Sequence, residues 1–125
     1  MTAVKPAPDG KTIYVVHRCF ENSCEGRSED PILKFDYSGR LLASFGQGLF
    51  LFPHGATVDH EGNLWVTDAR SNEALGNQVI KFSPEGEILM TLTHARAEGV
   101  GVDSAGNVYG AVVRRRMLER HILRP

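Results

Sequence analysis

His54 and Glu98 occupy matching places in the sequence, and their types could grip a metal ion. An imidazole and a carboxylate both offer lone pairs, and such groups gathered at one point hold zinc or a harder cation such as calcium. A lone histidine also serves often as a plain hydrogen-bonding group, and His54 can bond a neighbouring element in that way. His17 and Arg18 stand side by side; a salt bridge from Arg18 to Glu21 or Glu25 is the plainer use of its charge. Cys19 and Cys24, separated by four residues, are near enough for a small disulfide in an oxidising compartment and are free thiols elsewhere. No second cysteine pair or flanking histidine completes a zinc knuckle around them. Asp59, Asp68 and Asp103 are expected to bond turn amides, as short acidic side chains do. Arg114, Arg115, Arg116 and Arg120 could meet phosphates, but read more readily as a charged turn and a solvated or partner-facing edge that discourages strand addition.

The elements that must position these groups emerge when the chain is slid along itself. Three runs align, Asp9-Gly10 through Val16, Glu61-Gly62 through Asp68, and Ala105-Gly106 through Val112. Each is a turn glycine followed by an alternating apolar strand with an aromatic at one fixed place: Tyr14, Trp65, Tyr109. Upstream, His54–Asp59 matches Glu98–Asp103; downstream, Ile32–Leu42 matches Val79–Leu89. The Ser38-Gly39 and Glu85-Gly86 pairs read as hairpin turns between short alternating strands. The turn glycines Gly10, Gly62 and Gly106 step by 52 and 44 residues, the longer step holding an insertion at 19–31. Four-stranded units of ~40–50 residues are the signature of propeller blades. No segment keeps a helical period over several turns, so the chain is expected to be all-β.

The pattern predicts one domain of three NHL-type blades, at about 2–46, 49–93 and 97–123, the last without its outer strand. Trp65 and Tyr109 are assigned to packing between blades. In such a wheel the residue opening each inner strand faces the central channel, which places Thr2, His54 and Glu98 there and His17 with Arg18 at its rim. A propeller closes with ~4–8 blades, and an open arc of three leaves bare faces and edges. Pairing of two copies into a six-bladed ring is the expected remedy, and it brings two histidines and two glutamates to the axis. The alternative is a fragment or internal deletion.

Totals exclude other classes. The chain has 125 residues, is 42% hydrophobic and carries a formal charge of −1 from 14 basic and 15 acidic side chains. That supports an ordinary core and disfavours nucleic acid or an anionic membrane as the main partner. No apolar run nears the ~20 residues of a membrane helix, and the opening Met-Thr-Ala-Val-Lys-Pro-Ala-Pro lacks a signal-peptide core, so the chain as written reads as cytoplasmic.

Val15-Val16-His17-Arg18, the polar insert, Asp30–Asp36 and Leu49–Asp68 together resemble the opening blades of the peptidylglycine α-amidating lyase family, over residues of about 10–92. The segment Ala97–Ala111 with Met117-Leu118 resembles the final blade of that family's bacterial relatives, which are also NHL proteins, as though middle blades had been excised. The resemblance implies a six-bladed propeller that cleaves a peptidyl-α-hydroxyglycine into a peptide amide and glyoxylate; family members are often secreted. It puts His54 at the family's first zinc histidine and Arg18 at an arginine that meets the substrate. Zinc would lower the pKa of the α-hydroxyl, and a guanidinium matches a carboxylate in two-point contact. The family's remaining zinc histidines and its catalytic tyrosine have no counterpart in these residues, and Glu98 stands where a histidine would.

The functional expectation is therefore a propeller binding module with zinc or calcium at the axis and a small or peptide-like ligand over it. By the resemblance Arg18 is the candidate catalytic residue; His17 and Thr2 are the candidate ligand contacts, and His54 with Glu98 the candidate metal pair. Two alternatives stand beside it: a metal-dependent lyase-like enzyme, and a non-catalytic product of recombination.

Overall fold

A computed structural model describes residues 3–20, 22–72, 76–93, 99–112 and 117–121, and all regular structure among them is β-strand. Sheet one comprises β1 (Ala3–Pro6), β2 (Thr12–Val16), β3 (Ile32–Asp36) and β4 (Leu41–Phe45). Sheet two comprises β5 (Pro53–Val58), β6 (Leu64–Ser71), β7 (Gly76–Phe82) and β8 (Ile88–Thr93). Sheet three comprises β9 (Gly99–Val102), β10 (Val108–Val112) and β11 (Met117–His121). Each sheet is an antiparallel meander in chain order, and no sheet closes into a barrel. No helix among the described residues is long and apolar enough to cross a membrane.

One local device makes four of the hairpins. Asp59 Oδ1 accepts the amides of Glu61 and Asn63, while the Gly62 amide donates back to the Asp59 carbonyl. Asp103 repeats the arrangement with Ala105, Asn107 and Gly106, Asp36 with Ser38, Arg40 and Gly39, and Ser83 Oγ with Glu85 and Glu87. The aspartate or serine side chain thus supplies the turn with acceptors that the backbone lacks there. At Gly86 the backbone is left-handed (φ 88°) and an added Cβ would lie 2.8 Å from the Phe45 ring, so the sheet-one to sheet-two approach admits only glycine at that turn.

Strand alternation then decides what each sheet buries. In β6, Leu64 and Val66 face sheet one and join Tyr14, Val16, Ile32, Phe50, Ile80 and Phe82 in one core. Trp65, one residue out of phase, faces sheet three with Val79, Val108, Val100 and Val102. Sheet two is therefore packed on both sides, and β1, β5 and β9 adjoin in that order along one side of the stack. Each large side chain so buried contributes roughly 1.5–3 kcal/mol. The outward face of sheet one stays open: Val4, Val15 and Leu33 form one cross-strand row and Pro6, Ile13 and Phe35 a second, and Val4 is 47% exposed.

Candidate functional site

The site is assembled where the end of β2 meets the start of β5. Residues 49–52, which lead into β5, are tied down by Asp68 at the end of β6's buried stretch. The Leu51 amide donates to Asp68 Oδ2 at 2.9 Å and the Phe52 amide to Oδ1 at 2.8 Å, while the Ala69 amide donates to the Phe52 carbonyl at 3.1 Å. Asp68 is fully buried; burial raises its pKa, opposed by the two amides and the Gln78 side chain. It does not close its strand as expected, since β6 runs on to Ser71, and it bonds the preceding connection rather than a hairpin turn.

The insert is pinned to the same connection. Cys24 N–H and Ser23 Oγ both donate to the Leu51 carbonyl, at 2.7 and 3.2 Å. Cys19 and Cys24 are joined in a disulfide with Cα atoms 5.3 Å apart. Cys19 and Phe20 both adopt left-handed backbone (φ 54° and 62°), and Phe20 is 81% exposed beside the His17 ring, centroids 4.9 Å apart. His17 itself is buried; its Nδ1 accepts the Cys19 amide at 3.0 Å, which leaves the proton of the neutral ring on Nε2.

Arg18 is held by this frame. Its Nε donates to the Pro53 carbonyl at 3.1 Å, its Nη1 to Asn22 Oδ1 at 2.9 Å, and its Cζ lies 3.6 Å from the Phe52 ring centroid. Glu25, one of the two acids considered as its partner, accepts instead from Asn72; Glu21 lies outside the described residues. Partial burial lowers the Arg18 pKa, and the charge of Arg70 lowers it further. Arg70 places its own Cζ 4.0 Å from the same Phe52 ring. His54 follows Pro53 directly, and its ring meets Phe52 edge-on at 5.9 Å between centroids.

The structure therefore brings Arg18, Phe52, His54 and Arg70 together, with His17 next to Arg18 in the wall of the insert. Thr2 and Glu98 lie outside the described residues, as do Arg114, Arg115 and Arg116; Arg120 falls in β11. No group of three or more His, Cys, Asp or Glu side chains poised for a metal occurs among the described residues, so these supply one candidate ligand, His54, and not a set. Arg70 and Phe52 were not singled out from the sequence. The clue available there was the apolar-aromatic run Leu49-Phe50-Leu51-Phe52 directly before a proline and a histidine.

No family model matches the chain. Among curated proteins it is 43% identical over 60 residues to peptidyl-glycine alpha-amidating monooxygenase B of Xenopus laevis, covering 47% of this chain and 6% of that protein. It is 41% identical over 66 residues to the peptidylglycine alpha-amidating monooxygenase of Rattus norvegicus, covering 50% and 6%. It is 37% identical over 67 residues to peptidyl-alpha-hydroxyglycine alpha-amidating lyase 1 of Drosophila melanogaster, covering 51% and 12%. The likeness extends over about half of the chain, and the chain spans 6–12% of the length of these relatives.

Proposed function

We propose that the chain is a partial β-propeller of three NHL-type blades whose rim binds a small or peptide-like ligand through Arg18, and that a second copy completes the ring. The observation that carries the ligand reading is the mounting of Arg18. A partly buried guanidinium, fixed by a backbone carbonyl one residue before His54 and by an aromatic face, keeps free N–H groups for an acceptor. Support for blades comes from the aligned first strands and from Tyr14 and Trp65, which occupy one repeat position and each face the next sheet. Support for a partner copy comes from the open apolar rows on sheet one, which match in character the faces buried inside the stack.

Titration calorimetry with an N-acylated peptide ending in α-hydroxyglycine tests the ligand reading. Binding should appear and be lost in Arg18→Ala; binding that survives that change overturns it. Light scattering tests the ring: the expected mass is about twice 13.8 kDa, and a well-folded monomer sinks the paired arrangement.

The proposal includes a cation, zinc or calcium, at the axis with His54 and Glu98 as its ligands. The donor chemistry suits either ion, but the described residues do not complete a site, and no step here runs through the metal. Elemental analysis of the parent and of His54→Ala checks it: bound metal should fall to background in the variant.

A second reading, a lyase, is favoured by the relatives, one of which is called a peptidyl-alpha-hydroxyglycine alpha-amidating lyase. Such an enzyme breaks the bond between the amide nitrogen and the α-carbon, the hydroxyl losing a proton as it becomes the aldehyde of glyoxylate and the nitrogen gaining one. Glyoxylate release, lost in Arg18→Ala, would establish it; a binding module gives none. The disulfide further leads us to place the protein in an oxidising compartment rather than the cytosol. Protein from its native source should then resist thiol alkylation before reduction.

A further inference from the structure

Sheet one lacks a bond that the other two sheets make. In sheet two the Trp65 indole N–H donates to Asp59 Oδ2, and in sheet three the Tyr109 hydroxyl donates to Asp103 Oδ2. The backbone marks Ala7 as the counterpart of those aspartates. Its amide donates to the Thr12 carbonyl and its carbonyl accepts from Gly10, as Asp59 does with Asn63 and Gly62 and Asp103 with Asn107 and Gly106. A methyl group thus stands where Tyr14, the packing aromatic of sheet one, would find a carboxylate. Tyr14 is 1% exposed, and its hydroxyl meets no acceptor among the described residues. A buried hydroxyl without a partner costs ~1–3 kcal/mol, and folded proteins seldom keep one without a use.

Tyr14 and Ala7 both line a cleft of about 330 Å³, between the β1–β2 turn and the β5–β6 turn. It lies at the ends of β2 and β5 remote from Arg18 and His54. Its volume falls among those of small-molecule sites, ~300–1,000 Å³. Across from Tyr14, Lys34 Nζ donates to the Pro84 carbonyl at 2.8 Å and braces sheet one against sheet two. Of the described residues lining the cleft, Asp9 and Glu61 are acidic and exposed, and Lys34 alone carries an ammonium, with His60 counted neutral. Burial raises the Tyr14 pKa to about 12, and the negative charges of Asp9 and Glu85 add to the effect. The phenol therefore keeps its proton to donate, in surroundings of negative sign that discourage an anion.

We propose that this cleft is a second binding site, taking a small organic cation that carries a hydroxyl or carbonyl oxygen. The oxygen accepts the Tyr14 O–H in place of the absent carboxylate, and the cationic end lies at the mouth with Asp9 and Glu61. Nothing in this reading depends on Arg18.

The test is an NMR titration of the full chain near neutral pH with ethanolamine, with ethylamine, which lacks the oxygen, and with glycolate, which reverses the charge. Ethanolamine should shift the Thr12 and Gly62 amide signals and bind about three- to tenfold more tightly than ethylamine, the worth of one neutral hydrogen bond. Glycolate should bind most weakly. Tyr14→Phe should bring ethanolamine down to ethylamine, and Ala7→Asn, which offers the phenol an acceptor from its own chain, should do the same. The urea midpoint should hold or rise in both variants, because Tyr14→Phe removes a hydroxyl without a bond and Ala7→Asn gives it one. A midpoint that falls in Tyr14→Phe, as expected for Trp65→Phe, would mean that the hydroxyl already has a partner, and overturns the site. Ethanolamine affinity unchanged in Tyr14→Phe, equal to that of ethylamine in the parent, or undetectable overturns it as well. Glycolate binding above ethanolamine overturns the cation class.

Discussion

The indole N–H of Trp65 donates to Asp59 Oδ2 at 2.9 Å, inside the interface between sheets two and three. The same aspartate uses its other oxygen to hold the turn six residues earlier in its sheet. One carboxylate thus joins the hairpin to the packing side chain. Tyr109 repeats the bond in sheet three, its hydroxyl donating to Asp103 Oδ2 at 3.0 Å.

Trp65→Ala should cost ~3–5 kcal/mol, the usual range for emptying a large aromatic site. Trp65→Phe keeps most of the packing and strands the Asp59 oxygen, at roughly 1–3 kcal/mol. Urea denaturation of both gives the ranking, and equal losses would contradict a separate role for the hydrogen bond.

Asp68→Ala removes the acceptor of two amides and frees residues 49–52. Each buried donor left without a partner costs ~1–3 kcal/mol, so a loss of about 2–5 kcal/mol is expected in urea. Ligand binding through Arg18 should fall with it, because Phe52 loses its anchor. Asp68→Asn retains one acceptor oxygen but turns an NH2 donor toward the other amide, and should lose about half as much or somewhat more.

Reduction of Cys19–Cys24, or the paired Cys19→Ser and Cys24→Ser change, opens a short loop. The chain-entropy estimate for a loop of this size is about 2 kcal/mol. Thermal melts with and without reductant read it directly. Since the bridged segment carries Asn22, the partner of Arg18, affinity for an anionic ligand should also drop upon reduction.

Acid should destabilise the protein through its turns. Asp9, Asp36 and Asp103 are each held below the ordinary 3.8, chiefly by the Lys11 amide, the Ser38 hydroxyl and the Asn107 side chain respectively. A depressed folded pKa gives stability that is present above 3.8 and lost as pH falls through the folded value. Asp68 has the opposite sign: burial raises its pKa, so its contribution is full below 3.8 and diminishes as pH rises through the folded value. Melting temperature should therefore fall below about pH 4, and the Asp103→Asn change should flatten that fall. At the alkaline end, burial pushes the Tyr14 phenol up to about 12 from 10.0, so stability should hold through pH 10 and decline as pH climbs toward 12.

The parts legible in the sequence were those written locally. A turn glycine, an alternating strand and a fixed aromatic lie within a few residues of each other, so the described strands of all three sheets appear close to their expected places. The Asp-to-aromatic spacing of six, seen at Asp59–Trp65 and Asp103–Tyr109, was also there to be read as a bond. Sheet one breaks that pattern: Ala7 occupies the equivalent turn position, and Asp9 serves Thr12 and Lys11 instead. The Arg18–Phe52–Arg70 cluster was not legible, because its members come from three elements and share no period. Only the fold, through the hold of Asp68 on a connection 16 residues back, sets them around one ring.

The carboxylates that brace Trp65 and Tyr109 belong to the same units as those aromatics. Each unit therefore carries its own half of the junction ready-made, with no residue borrowed from the neighbour it will meet. Losing, duplicating or splicing whole units leaves every surviving junction half intact. A gene built this way can shorten or lengthen by recombination and still encode surfaces that know how to stack.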